Sequence, residues 1–192
     1  MITSEPIILN LKTVNLSDEQ FYQLCQINEN WRLEQTAQGE LIIMPPVGGI
    51  SGNRESDLNG FLWLWNRQTQ LGKVFSSSTI FILPNGGKRS PDVAWVANSR
   101  WSALTLEQQE KFVPICPDFV IELRSRTDSL NQRQEKMQEY LNSGLQLGWL
   151  IDPQNQQVEI YRPNQPREIV KLPTTLSGEN ILPEFTLELP VF

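Results

Sequence analysis

Two apolar segments of the chain carry carboxylates where carboxylates are costly. Asp92 opens the run "PDVAWV", and Glu122 stands inside "CPDFVIEL", between Ile121 and Leu123. Side chains of a strand alternate between faces, so Asp118, Val120, Glu122 and Arg124 share one side and Phe119, Ile121 and Leu123 the other. Burying an unpaired carboxylate costs on the order of several kcal/mol, comparable to the whole stability margin of a small domain. Glu122 must therefore be paired, protonated or bound to a metal. Asp92 raises the same question less sharply, because Pro-Asp is also a common turn element. Two carboxylates gathered at one end of neighbouring strands, with a cation close by, would hold a hard divalent ion such as Mg²⁺. That ion takes oxygen ligands, keeps several waters and shares its shell with substrate phosphate. It activates water and neutralises charge as a phosphodiester is cut, a task that needs no histidine.

Histidine is absent from the 192 residues. Serine-histidine and cysteine-histidine catalysis and every histidine-ligated metal site are thereby excluded, leaving carboxylates, lysine, arginine, tyrosine and serine. Cys25 and Cys116 lie far apart with no CxxC pairing, which indicates neither a disulfide framework nor a cysteine metal site. The net charge of −6 argues against a broad nucleic-acid-binding surface and leaves room for a local basic groove. No apolar stretch approaches the roughly 20 residues of a membrane-spanning helix, and "MITSEPIILNLKTVN" lacks the order of a signal peptide. The expectation is a soluble cytoplasmic protein with no membrane partner, a single domain over residues 1–192.

The elements that must position these carboxylates follow from local pattern. After an irregular start, "SDEQFYQLCQI" reads as a short helix with Ser17 as N-cap and Gln20 completing a capping box. The strands "WRLEQ" and "ELIIMPP" form a hairpin around "TAQG". A helix follows over "SGNRESDLNGFLWLWNRQTQLG", with Leu58, Phe61, Leu62 and Trp65 at helical spacing and Gly72 as its stop. "KVFSS", "TIFILP" and "PDVAWV" are strands, with "NGGKRS" a turn between the last two. A short helix over "TLEQQEK" leads to the strand "PDFVIEL". A helix from "RTDS" runs to Gly144, and the strands "LGWLID" and "QVEIYRP" precede a polar, proline-rich close. This is a mixed α/β order built on a central sheet.

An acidic residue on a helix, Pro-Asp opening a strand, and Glu-x-Arg on the next strand together resemble the PD-(D/E)XK nuclease superfamily. More closely, "KRSPDVAWV", "CPDFVIELRSRTDSL" and "EKMQEYLNSGLQLGWLIDP" resemble the Uma-two family of restriction-endonuclease-like proteins within it, from about Glu40 to Phe192. The resemblance implies a restriction-endonuclease-like α/β fold, a central mixed sheet flanked by helices with additional N-terminal and C-terminal hairpin strands. It implies an endonuclease dependent on Mg²⁺ or Mn²⁺ that hydrolyses phosphodiester bonds of nucleic acid, DNA by family pattern. Asp92 and Glu122 then match the metal-binding carboxylates, and Asp57 the acidic position on the preceding helix. Arg124 occupies the place of the superfamily lysine, a departure from the consensus. Lys136 matches the lysine this family carries on the following helix, where it could orient water or stabilise phosphate charge. Tyr140, at i+4 from Lys136, would buttress it.

Each residue also has a purely structural reading. Glu122 could pair with Arg124 or Lys136 without metal, Asp92 could cap local backbone, Asp57 could answer the helix dipole, and the tryptophans could be core or subunit interface. Two functions follow: a metal-dependent nuclease, or a catalytically silent binding or assembly module on the same scaffold. Cutting both strands of a duplex calls for two active sites, hence the expectation of a homodimer.

Overall fold

The computed structural model describes residues 6–14 and 16–192; residues 1–5 and 15 lie outside them. In chain order the elements begin with strand β1 (Ile7–Asn10), helix α1 (Asp18–Ile27), β2 (Arg32–Gln35), β3 (Glu40–Met44) and α2 (Gly49–Thr69). Strands β4 (Gly72–Ser76), β5 (Phe81–Ile82), β6 (Lys88–Arg89) and β7 (Val93–Ala97) follow, then the short helices α3 (Asn98–Trp101) and α4 (Leu106–Glu110). The remainder comprises β8 (Phe119–Leu123), α5 (Leu130–Asn142), β9 (Leu147–Asp152), β10 (Gln157–Tyr161), β11 (Glu168–Lys171), β12 (Thr174–Ser177) and β13 (Thr186–Leu189).

The central sheet has six strands in the order β11-β10-β9-β8-β7-β4. It is mixed: β8 and β9 are parallel, joined over α5, and the other pairs are antiparallel. A parallel neighbour needs a crossover, and the helix supplies it. Both faces are covered, which explains why β8, β9 and β10 are buried along their whole length. On one face Leu58, Leu62 and Trp65 of α2, with Phe185 and Leu187 near the C-terminus, pack on Trp95, Ile121 and Trp149. On the other, Met137 and Tyr140 of α5 pack on Ala94, Val120 and Leu150. Gly148 permits that approach, since a Cβ there would come within 2.5 Å of Met137 Cε.

The second sheet, β1-β3-β2-β6-β5, contains the N-terminal hairpin. Its β2 reaches α5 through buried side chains. The capping box at Ser17 and Gln20 is present. Five expectations from local pattern are corrected, the first being the irregular start, within which Ile7–Asn10 forms β1 against β3. Phe61 is 54% exposed although it shares the helical spacing of Leu58, Leu62 and Trp65. Helix α2 ends through Gln70 in the left-handed region, φ 54°, rather than at Gly72. Gly72 instead opens β4, where a Cβ would lie 2.3 Å from the Val96 carbonyl oxygen. The turn "NGGKRS" contains the two-residue strand β6, and the polar close carries β11, β12 and β13, whose pairing partners are set by tertiary contact.

Candidate active site

Strands β7 and β8 run antiparallel with Val93 opposite Ile121 and Ala94 opposite Val120. One further step of that register sets Asp92 opposite Glu122, on the face covered by α5. The Asp92 carboxylate accepts the Leu123 N–H through Oδ2 at 2.7 Å. Among the described residues no hydrogen bond reaches Oδ1. Glu122 is fully buried.

Helix α5 answers the charge of Glu122. Arg133, Lys136 and Tyr140 stand at spacings of three and four residues and so share one face. Lys136 Nζ forms an ion pair with Glu122 Oε1 at 2.8 Å, Tyr140 OH donates to the same oxygen at 3.2 Å, and Arg133 Nη1 donates to Oε2 at 2.9 Å. The ammonium of Lys136 also meets Glu34 Oε1 of β2 at 2.9 Å and the Ser90 carbonyl at 3.2 Å. The ammonium thus sits among three oxygen atoms. Beyond these contacts the pairs continue, so that Glu139, Arg89, Glu34, Lys136, Glu122, Arg133 and Asp128 form an alternating ladder of four carboxylates and three cations. The ladder ties β2 and β6 of one sheet to β8 of the other through α5.

The ladder divides the carboxylates into two electrostatic kinds. Burial pushes Glu34 up, but Lys136, Arg89 and the Ser90 N–H outweigh it and bring its pKa to about 2. Burial also raises Glu122, and there the Lys136 and Arg133 charges are opposed by nearby Asp92 and Glu34, so its pKa stays above the usual carboxylate range. Asp92 is raised by burial too; Arg133, Lys136 and the Leu123 N–H pull it down without fully compensating, and Glu55 adds to the rise. Desolvation of Arg133 is overcome by Glu122, Asp92 and Asp128, which keep it protonated.

Asp92 borders a cleft of about 580 Å³. Five of the chain's ten arginines, Arg32, Arg54, Arg124, Arg126 and Arg133, line it. Arg124 and Arg133 are neutralised by carboxylates. Among the described residues Arg32, Arg54 and Arg126 make no ion pair: Arg32 donates to the Ser77 carbonyl, Arg54 lies over the Phe192 ring, and Arg126 is exposed. An acidic chain thus concentrates unpaired positive charge beside Asp92.

Of the residues singled out from sequence, Asp92, Glu122 and Lys136 come together and two do not. Asp57 is exposed and borders neither the cleft nor Asp92. Two residues along a helix turn about 200°, so Glu55 faces the cleft in its place and acts on Asp92. Arg124 pairs with Asp152 through two 3.1 Å hydrogen bonds and with the Asp128 carbonyl, not with Glu122. The Arg124 N–H bonds the Ile151 carbonyl beyond the last β8–β9 pair, which turns the side chain toward the end of β9. Asp118 pairs with Arg100 and accepts the Ala97 N–H.

Hard oxygen donors on adjacent strands suit Mg²⁺ or Mn²⁺, which need only one or two carboxylates besides water and substrate. Among the described residues no group of three or more acidic or cysteine side chains converges to cage a metal. Asp92 and Glu122 could supply the two-carboxylate form, with Asp92 Oδ1 open and Glu122 Oε2 shared with Arg133.

The family model Uma2, described as "Putative restriction endonuclease", matches residues 18–191. The chain belongs to the Uma2 family. A structure titled "a putative nuclease belonging to DUF820 from Anabaena variabilis ATCC 29413" superposes with a TM-score of 0.70 at 24% identity, covering 81% of this chain and 86% of that one. That likeness shows the fold, the restriction-endonuclease-like α/β arrangement expected from the motifs. No curated protein matches the chain.

Four charged residues around this site escaped the sequence reading. Glu34 sits in a short strand whose partner, Lys136, is distant in sequence, and no local pattern signals the pair. Arg89 was absorbed into a turn. Arg133 was legible in principle, because it precedes Lys136 by three and Tyr140 by seven on one helix face. Glu55 was legible likewise, at three residues before the buried Leu58.

Proposed function

We propose that the protein is a metal-dependent endonuclease that hydrolyses phosphodiester bonds in DNA. The observation that carries this reading is the cross-strand neighbourhood of Asp92 and Glu122 at the border of a cleft lined by half of the chain's arginines. Family membership supports the nuclease class.

In this reading Asp92 and Glu122 hold Mg²⁺ or Mn²⁺, which when bound polarises phosphate oxygen and water. Lys136 acts as a positioning residue: held on Glu34 and the Ser90 carbonyl, it pairs with Glu122 and fixes its orientation. Tyr140 fixes the same oxygen. Arg32, Arg54 and Arg126 balance the charge of the nucleic-acid backbone and orient it over Asp92. Exposed Phe61 and Leu64 on α2 supply an apolar face for a homodimer. Cytoplasmic action agrees with two unpaired cysteines, and no helix among the described residues is long and apolar enough to cross a membrane.

A second reading, a catalytically silent nucleic-acid-binding module, is favoured by one feature: both oxygens of Glu122 are engaged by protein donors. Cleavage of supercoiled plasmid with Mg²⁺, Mn²⁺ or EDTA separates the two. The nuclease reading expects metal-dependent nicking that is lost in Asp92→Ala and Glu122→Gln. Equal cleavage by all three proteins, or none, overturns it.

A further inference from the structure

Lys136 and Arg133 both bind Glu122, yet their surroundings differ. Lys136 is enclosed by Glu34, Glu122 and the Ser90 carbonyl. Arg133 stands in the wall between two spaces, the 580 Å³ cleft beside Asp92 and a 550 Å³ cavity between α5 and β2. Its guanidinium bridges Glu122 Oε2 and Asp128 Oδ2, each at 2.9 Å. Because Lys136 and Tyr140 both use Oε1, Arg133 covers the remaining oxygen of the second carboxylate.

We infer that Arg133 is a built-in competitor for the divalent cation at Glu122: seated on Oε2 it closes that ligand, and withdrawn into the cleft it opens it. The inference rests on the reading of Asp92 and Glu122 as the cation's carboxylates. Three features support it. Open space lies on both sides of the side chain, so withdrawal displaces no packed residue. The cleft that receives the guanidinium is where a phosphate would lie, and guanidinium matches phosphate in a bidentate geometry. Oε1 remains held by Lys136 and Tyr140, so Glu122 keeps its orientation when Arg133 leaves. A backbone phosphate that draws Arg133 away then raises the affinity for the cation, and the cation raises the affinity for phosphate by the same factor.

Mn²⁺ binding to the full chain, read by water-proton relaxation in the absence of nucleic acid, tests this. The proteins are wild type, Arg133→Leu and Arg133→Gln, each with and without Glu122→Gln, together with Asp92→Asn; circular dichroism checks the fold of each. The glutamine variant removes the competing charge with a shorter polar side chain and serves if the leucine variant does not fold. Both Arg133 variants should bind Mn²⁺ roughly tenfold or more tightly than wild type, the scale of a hydrogen bond to a charged group, and Glu122→Gln should cancel the gain. Affinity equal to or weaker than wild type, with binding lost in Asp92→Asn, overturns the competitor and leaves the two-carboxylate site standing. No Mn²⁺ binding by folded wild type or either Arg133 variant overturns both.

Discussion

Lys136 Nζ lies 2.8 Å from Glu122 Oε1, and neither group is more than 7% exposed. This contact joins α5 to β8 at the point where the apolar strand admits a carboxylate. It also fixes the orientation of Glu122, because the same ammonium is anchored on Glu34 of the other sheet.

Removal of Lys136 leaves Glu34 and Glu122 close together in a dry setting. Lys136→Met should lower stability by about 3 to 5 kcal/mol, the range for breaking a buried pair on one side. Adding Glu122→Gln should restore part of the loss, since the buried charge goes with it. Urea denaturation of the single and double variants reads the difference. Simple additivity of the two changes would show that the pair is not what carries the cost.

Acid should act through Glu34. Its folded-state pKa, about 2, lies below the ordinary 4.5, so the ionised form favours the folded state. The stabilisation is complete above the unfolded pKa and is lost as pH falls toward about 2, and by linkage it amounts to about 3 kcal/mol. Glu34→Gln should lack this segment of the stability profile. Denaturant midpoints measured across that acid range for both proteins should converge as pH falls; parallel profiles would place the acid sensitivity elsewhere.

Asp92 has the opposite sign. Burial raises its pKa, so at neutral pH its ionised form costs folding stability. Asparagine keeps an acceptor for the Leu123 N–H without the charge. Asp92→Asn should therefore melt at or above the wild-type temperature while metal-dependent cleavage falls at least roughly a hundredfold. A variant that loses stability and activity together would mark Asp92 as scaffold.

Arg126 is exposed and makes no ion pair among the described residues. Arg126→Ala should change stability by less than about 0.5 kcal/mol. Binding of a DNA duplex in EDTA, followed by fluorescence anisotropy against salt, should weaken, with the log-log slope falling by about 1. An unchanged slope would remove Arg126 from the nucleic-acid surface.

Much of the fold is readable one segment at a time. The capping box at Ser17, the hairpin from Arg32 to Met44 and the apolar strands around Val93, Ile121 and Trp149 all appear where local pattern predicts them. Local pattern fails at β6, β11, β12 and β13, which are short or polar and owe their extended form to neighbours. It also fails for Asp57, since an acidic residue early in a helix is favoured by the helix dipole wherever it points. Only the phase of α2, set by Leu58, Leu62 and Trp65 against the sheet, turns Glu55 toward the cleft instead.

The sequence by itself determined that chemistry here cannot use histidine and that Glu122 needs a partner. Those conclusions follow from residue type and strand alternation, which act over a few residues. Tertiary structure alone decided which cations answer Glu122, because α5 meets β8, and Glu34 meets Lys136, only when two sheets close around α5. Charge in a low-dielectric interior is governed by distance in space, and separation along the chain carries no information about it.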